Sequence, residues 1–134
     1  MNRHAKVGQG QRVLVVEDDE ATQELLQKRL TKEGWQVVAA SNGREALERL
    51  TQGPPDLVLL DLMMPEMDGF EFLEAFRKQP GCAQTTVVVM TAKILTPEDR
   101  QRLRGQVAQI VEKQAMTPES LVLDIRKTLR MVGS

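Results

Sequence analysis

The sequence predicts a doubly wound α/β fold, a five-stranded parallel sheet with five helices distributed over its two faces. Short apolar stretches alternate five times with stretches of helical pattern, which is typical of parallel sheets. The connections are short, so right-handed crossovers are expected. Five strands in 134 residues fit the flavodoxin-like order 2-1-3-4-5, in which the first and third strands are neighbours.

Length and composition indicate one domain, and its net charge does not point to a particular class of partner. We expect a flexible tail over residues 1–11 and a single domain over 12–132, since 134 residues are too few for two ordinary domains. Charged residues make up 28% and the net charge is -1, which argues against a direct nucleic-acid surface. With no membrane span, no signal peptide and one cysteine, Cys82, the chain is expected to be cytoplasmic.

The first half of the domain supplies three strands and two helices. Apolar runs predict strands at 12–16, 35–40 and 57–60, and the last of these is apolar throughout, as in a strand buried on both faces. A helix is expected over 20–33, where Gly34 ends it and Leu25, Leu26 and Leu30 form its buried stripe. Asn42 is expected to cap a second helix that runs to about residue 52.

The second half supplies two strands and three helices. Asp68 is expected to cap a helix over 69–79, with Phe72, Leu73 and Phe76 in the core. Strands are predicted at 86–90, ending on Thr91, and at 107–111, leading to Glu112 and Lys113. Helix-start signals at 96–99 and 117–119 predict a short charged fourth helix and a last helix with Leu121, Ile125 and Leu129 on one face.

Carboxylates follow the first and third strands, at the edge of a parallel sheet where ligands bind. Glu17 and Asp18 follow the first strand, and Asp61 follows the third. Carboxylates gathered in one crevice repel each other and are relieved by a divalent cation, and oxygen ligands favour Mg²⁺ or Mn²⁺. An aspartate beside such a cation can be a nucleophile toward phosphorus, and Thr91 and Lys113 end neighbouring strands, where they can stabilise a phosphoryl group.

Other readings of the same residues stay open at this point. Glu17 to Glu20 also fit the acidic first turn of a helix, and Thr91 and Lys113 gain weight only as parts of the joint pattern. A flavin binder would need a Ser/Thr/Gly-rich loop where these acids stand, and a phosphatase would need a second acid where Met63 stands. A DNA-binding regulator would need an output module. A binding module that works without phosphorylation is the main alternative.

The motifs resemble the receiver domain of two-component response regulators over residues 12–131. The pair Glu17-Asp18 resembles the acids that bind metal in that family. The segment Asp61-Leu-Met-Met-Pro-Glu-Met-Asp-Gly69 is similar to the phosphoacceptor motif Asp-x-x-Met-Pro-x-Met-Asp-Gly. Thr91-Ala92 is similar to the switch hydroxyl and its small neighbour, and Lys113 resembles the lysine that ends the fifth strand.

The resemblance implies a phosphoacceptor in a two-component phosphorelay. Asp61 would take a phosphoryl group from a histidine kinase or phosphotransfer protein, and Mg²⁺ would be held by Asp18, Asp61, the main-chain carbonyl of Met63 and, through water, Glu17. Catalysis would be limited to the domain's own phosphorylation and dephosphorylation. The surface read by a downstream effector would change with Thr91 and Ile110, in a monomer or a weak phosphorylation-dependent dimer.

Two positions depart from the family pattern, and two more bear on the phosphoryl lifetime. Gln114 stands where the family usually has proline, and Ile110 where it commonly has an aromatic switch residue. Met63 and Lys93, two positions after Asp61 and Thr91, are expected to line the approach of water. The short fourth helix and Lys113-Gln114 also resemble receivers attached to hybrid sensor kinases.

Overall fold

The computed structural model describes residues 11–64 and 66–133, with side chains described to residue 130. The predicted tail lies outside these residues except for Gln11, as does Pro65 of the segment 61–69. Strands and helices alternate along the chain as predicted. The strands are β1 (Arg12–Val16), β2 (Gln36–Ala40), β3 (Leu57–Leu60), β4 (Thr86–Thr91) and β5 (Gln109–Glu112). The helices are α1 (Glu20–Lys32), α2 (Gly43–Arg49), α3 (Gly69–Arg77), α4 (Pro97–Leu103) and α5 (Pro118–Gly133).

The five strands form one parallel sheet in the order β2-β1-β3-β4-β5, which confirms the predicted order. In the register of the first and third strands, Val16 lies opposite Leu60. The residues that follow these two positions, Glu17 and Asp61, therefore leave the sheet side by side at its carboxyl edge.

Apolar side chains fill both faces of the sheet, because successive strand residues point to opposite sides. On one face Val58 and Leu60 pack with Phe72 and Phe76 of α3. On the other, Leu57 and Leu59 pack with residues of α1 and α5. All four β3 residues are fully buried, as expected for a strand covered on both sides.

The structure corrects three details of the sequence prediction. Leu25 is 55% exposed, whereas Leu26 and Leu30 are buried, because adjacent helical residues lie about 100° apart and cannot share a narrow stripe. The second helix ends at Arg49, and a 3-10 turn over Leu50–Gln52 follows it. The fifth strand begins at Gln109, two residues later than predicted, although Ala108 N–H already donates to Val87 O.

None of the helices in the part of the chain that the structure describes combines the length and the apolar character needed to cross a bilayer.

Candidate functional site

Three acidic side chains meet at the carboxyl edge of the sheet, as predicted. Glu17, Asp18 and Asp61 each offer a carboxylate oxygen, and these atoms lie within 4.8 Å of one another. Glu17 and Asp61 are buried, whereas Asp18 is exposed. The pairing of β1 with β3 brings the residues together, because it places residues 44 positions apart on adjacent strand ends.

The acidic run 17–20 divides between the site and the helix that follows. Asp19 is the N-cap of α1, where its Oδ2 accepts hydrogen bonds from the N–H (2.9 Å) and hydroxyl of Thr22. These two bonds lower the pKa of Asp19. Glu20 opens the helix. The interpretation as the acidic first turn of a helix is therefore correct for Glu20, Asp19 caps that helix, and Glu17 and Asp18 are left to face Asp61.

The side chain of Asp61 is almost fully buried and is held at both oxygens. Its Oδ1 accepts a hydrogen bond from Met63 N–H at 3.0 Å, and its Oδ2 accepts one from Lys113 Nζ at 3.1 Å. Its own main-chain N–H donates to Val16 O at 3.0 Å, which continues the ladder between the strands. The carboxylate is thus fixed at the edge of the sheet rather than free to rotate.

Lys113 lies between two of the acids. Its Nζ is 2.6 Å from Glu17 Oε1 and 3.1 Å from Asp61 Oδ2. Burial alone would lower the pKa of Lys113, but the bonds to Glu17 and Asp61 outweigh it, and the pKa is raised. For the acid Glu17 the effect of burial is opposite: burial raises its pKa, and the contact with Lys113 only partly offsets this effect.

Glu17 gives the test of whether a cation fits this site. Its Oε1 is completely buried, and although it forms the ion pair with Lys113, it has no well-directed hydrogen-bond donor in the described structure. Its Oε2 accepts Asp19 N–H at 3.1 Å. The three carboxylates outnumber the lysine that pairs with two of them, so a divalent cation fits the oxygen-only set. The part of Met63 in that set stays a prediction.

Thr91 and Ile110 lie where the sequence predicts them, on neighbouring strands. Thr91 is buried at the end of β4, and its Oγ1 accepts a hydrogen bond from Lys93 N–H at 3.0 Å, which leaves the hydroxyl hydrogen to be donated elsewhere. Ile110 is half-buried on β5 and lines a cavity together with Thr91 and Lys93. The hydroxyl and the isoleucine therefore border the same cavity.

Gly69 allows α3 to begin in close contact with the segment that follows Asp61. A Cβ on Gly69 would lie 2.7 Å from Asp61 O and from Leu62 Cα, so α3 begins in direct contact with the backbone that carries Asp61. Gly69 N–H donates to Leu62 O at 3.1 Å. Asp68 and Glu71 cap this helix reciprocally. Only glycine allows so close an approach.

Sequence reasoning missed contacts that arrange the loops of the site. Lys93 Nζ lies 2.9 Å from Asp99 Oδ2, and Gln114 Nε2 donates to Ala92 O at 3.2 Å. Gln23 Nε2 donates to Glu17 O at 2.9 Å. The helix-start signal at Thr96 marked Asp99 as a cap residue but gave no sign of a lysine partner.

Comparison with known proteins gives one consistent answer. The family model of the response regulator receiver domain matches residues 13–126. The alkaline phosphatase synthesis transcriptional regulatory protein PhoP of Bacillus subtilis is 39% identical over 82 residues, which are 61% of this chain and 33% of PhoP. The chain thus spans a third of that relative, and 52% of the phosphate regulon transcriptional regulatory protein PhoB of Rhizobium meliloti, which is 34% identical over 89% of the chain.

A solved structure agrees with this match. Chemotaxis protein CheY4 of Vibrio cholerae is similar with a TM-score of 0.80 and 30% identity, over 89% of this chain and 98% of CheY4.

Proposed function

The chain belongs to the response regulator receiver domain family, and from this premise we propose that Asp61 is the phosphoacceptor and that Glu17, Asp18, Thr91 and Lys113 complete the site. Receiver domains are phosphorylatable signalling domains of two-component systems. The observation that carries the residue assignment is the position of Asp61, a buried carboxylate held between Met63 N–H and Lys113 Nζ at the edge where ligands bind.

The chemical step that this arrangement supports is transfer of a phosphoryl group to Asp61. A carboxylate oxygen of Asp61 attacks phosphorus, the new O–P bond gives an acyl phosphate, and the P–N bond to the donor histidine breaks, with the electron pair leaving on imidazole. Lys113 places positive charge beside Asp61 Oδ2, where the phosphoryl group adds negative charge. The hydroxyl of Thr91 can donate its free hydrogen to a phosphoryl oxygen.

Receiver domains bind Mg²⁺ at an acidic pocket, and Glu17, Asp18 and Asp61 are the acids that would hold it here. Bound there, the cation would neutralise charge on the phosphoryl oxygens during transfer. Lys113 supplies the same kind of neutralisation from the β5 side. The main-chain carbonyl of Met63 is proposed as a further ligand.

The output of the site is proposed to pass through Thr91 and Ile110. Thr91 would turn toward the phosphoryl group, and Ile110 would fill the space that opens in the cavity the two residues line. Response regulators act with histidine kinases and effectors, so we propose a histidine kinase or phosphotransfer protein as donor and an effector that reads the surface of α4, β5 and α5. We also propose that the domain catalyses its own phosphorylation and dephosphorylation, in the cytoplasm.

Intact-mass analysis with acetyl phosphate and Mg²⁺ tests the proposal directly. We expect the mass of one phosphoryl group on the wild-type chain, its loss on chelation, and no gain in Asp61→Asn, which keeps the shape of the side chain but cannot form an acyl phosphate. Asp124→Asn, the same replacement on α5, is the matched control and is expected to gain the phosphoryl group as the wild type does.

A wild-type chain that gains no mass from acetyl phosphate or phosphoramidate, and binds no beryllofluoride, would contradict the proposal and favour a module that works without phosphorylation. A gain that persists in Asp61→Asn would move the phosphoacceptor to another residue.

A further inference from the structure

Lys93 connects the candidate site to the fourth helix. Its main-chain N–H donates to Thr91 Oγ1 at 3.0 Å, and its side chain reaches Asp99 in the first turn of α4, where Nζ lies 2.9 Å from Oδ2. The same lysine lines an open cleft together with Asp18 and Met63. One residue therefore contacts the switch hydroxyl, borders the acidic cluster and anchors a helix.

Asp99 is held firmly in the position that binds Lys93. Its Oδ2 accepts Thr96 N–H at 3.0 Å, and its own N–H donates to Thr96 Oγ1 at 3.1 Å, so the two residues cap α4 reciprocally. The side chain of Asp99 is 14% exposed, and that of Lys93 is 35% exposed. Hydrogen bonds from Lys93 and then Thr96 lower the pKa of Asp99, so the carboxylate is ionised at neutral pH.

The ammonium of Lys93 has a second destination once Asp61 is phosphorylated. A phosphoryl group on Asp61 brings between one and two negative charges close to Asp18, which lines the same cleft as Lys93. The lysine side chain is flexible, and a partly exposed ion pair is weak enough to exchange one anion for another. Lys113 already lies between Glu17 and Asp61. Lys93 is paired instead with Asp99 on α4, and it can leave that partner for the phosphoryl group.

We propose that Asp99 is a positioning residue, which holds Lys93 on α4 in the unphosphorylated chain, and that the phosphoryl group on Asp61 competes with Asp99 for the Lys93 ammonium. This inference rests on the proposed function and deepens it. Because Ile94 and Leu95 lie between Lys93 and the helix cap, transfer of the ammonium releases the loop that carries them, and Ile94 is already 88% exposed. The exchange thereby links the charge on Asp61 to the N-terminus of α4.

Four chains test the competition: wild type, Asp99→Asn, Lys93→Met and the double variant. The probe is beryllofluoride with Mg²⁺, and the dissociation constant is measured by calorimetry. Asn at position 99 keeps an oxygen for Thr96 N–H and loses only the charge. We expect about fivefold tighter binding in Asp99→Asn, about fivefold weaker binding in Lys93→Met, and the Lys93→Met value in the double variant.

The non-additive result separates competition from a general field effect. If Asp99→Asn binds as the wild type does, or tightens binding equally when Lys93 is methionine, the proposal is wrong. Glu119→Gln, which removes the charge of the acid in the surface ion pair between Glu119 and Arg29 (3.9 Å), is the matched control and is expected to leave binding unchanged. Should Asp99→Asn fail to fold, Lys93→Met alone decides, since unchanged binding overturns the proposal.

The wild-type chain also distinguishes this inference from the proposed function. If the wild type takes neither beryllofluoride nor a phosphoryl group, the proposed function fails and the competition fails with it. If the wild type takes both while the four dissociation constants are equal, only the competition is refuted.

Discussion

The carboxyl edge and the amino edge of the sheet each hold a half-buried cation, but the two cations have different partners. Lys113 at the carboxyl edge faces two carboxylates, Glu17 and Asp61. Arg77, the last residue of α3, faces main-chain carbonyls near the amino ends of β4 and β5. Its guanidinium donates to Cys82 O (3.0 Å), Ala83 O (3.3 Å), Thr85 O (2.7 Å) and Gln106 O.

This difference indicates which edge of the sheet can exchange its cation. Carbonyl groups are dipoles fixed in the chain, so the Arg77 contacts lock two loops together, and burial lowers the pKa of the guanidinium. Carboxylates can exchange one cation for another, and two of the three carboxylates at this edge pair with Lys113. The amino edge is closed by neutral acceptors, whereas the carboxyl edge keeps negative charge available for a cation.

Removing the guanidinium should have the largest effect on stability and leave the chemistry intact. We expect Arg77→Met to lower the free energy of unfolding by about 3 kcal/mol, because several partly buried carbonyls lose a charged donor together. Urea unfolding measures the loss, and the fraction that stays folded should still be phosphorylated. In the control, Arg102→Met removes an exposed arginine that stacks 4.2 Å from the Phe70 ring, and we expect a loss of less than about 1 kcal/mol. If the two variants lose the same unfolding free energy, the carbonyl contacts of Arg77 do not have the stabilising role assigned to them.

A methyl group at the carboxyl edge should cost less stability but more function. Gly69→Ala places a Cβ 2.7 Å from Asp61 O and Leu62 Cα, and these main-chain atoms cannot move aside without displacing Asp61. We expect a loss of about 2 kcal/mol in unfolding free energy and about tenfold slower phosphorylation by acetyl phosphate, measured by intact mass.

Gly105→Ala is the matched control beyond α4. Gly105 has a φ of 79° but has nothing within 4 Å of its Cβ position, so only the cost of that φ is expected, about 1 kcal/mol, with normal phosphorylation. Slowed phosphorylation in Gly105→Ala would show that the rate follows overall stability rather than the position of Asp61.

The smallest expected effect has the opposite sign and depends on pH. Burial raises the pKa of Glu17 above its ordinary value of 4.5, so the folded chain binds more protons than the unfolded chain in the interval above 4.5, and stability falls as pH rises through it. Without Mg²⁺, we expect Glu17→Gln to be about 1 kcal/mol more stable than the wild type at neutral pH. The advantage should disappear below pH 4.5.

Urea unfolding at the two pH values, in a chelator, checks the prediction for Glu17. An advantage of the same size at both pH values would mean that the ionisation of Glu17 is not its cause. Asp19→Asn is the contrasting variant. Its carboxylate caps α1 with a lowered pKa, so its replacement is expected to destabilise the chain at neutral pH or leave it unchanged.

The carboxyl edge could be predicted from the sequence, but the amino edge could not. Apolar strands that end on Glu17 and Asp61 leave a visible pattern, and the order of five alternating strands follows from general rules of chain connection. Arg77 binds main-chain carbonyls, which every residue carries, so no pattern of side chains reveals its partners.

Two further details depended on geometry that a sequence does not contain. The exposure of Leu25 depends on the rotational phase of α1 against the sheet, and two adjacent leucines fit that phase equally well. The contact of Lys93 with Asp99 depends on how the loop before α4 folds back on itself. Neither two adjacent leucines nor a lysine followed six residues later by an aspartate predicts these details by itself.

The strand order also has a consequence for the growing polypeptide on the ribosome. The first three strands, together with Glu17, Asp18 and Asp61, are complete by residue 61, whereas Lys113 is added 52 residues later. A nascent chain that has reached residue 61 carries the repelling carboxylates without the lysine that pairs with two of them. Closure of β1 against β3 is therefore opposed early in synthesis and favoured once β5 arrives, so the last strand completes both the sheet and its charge balance.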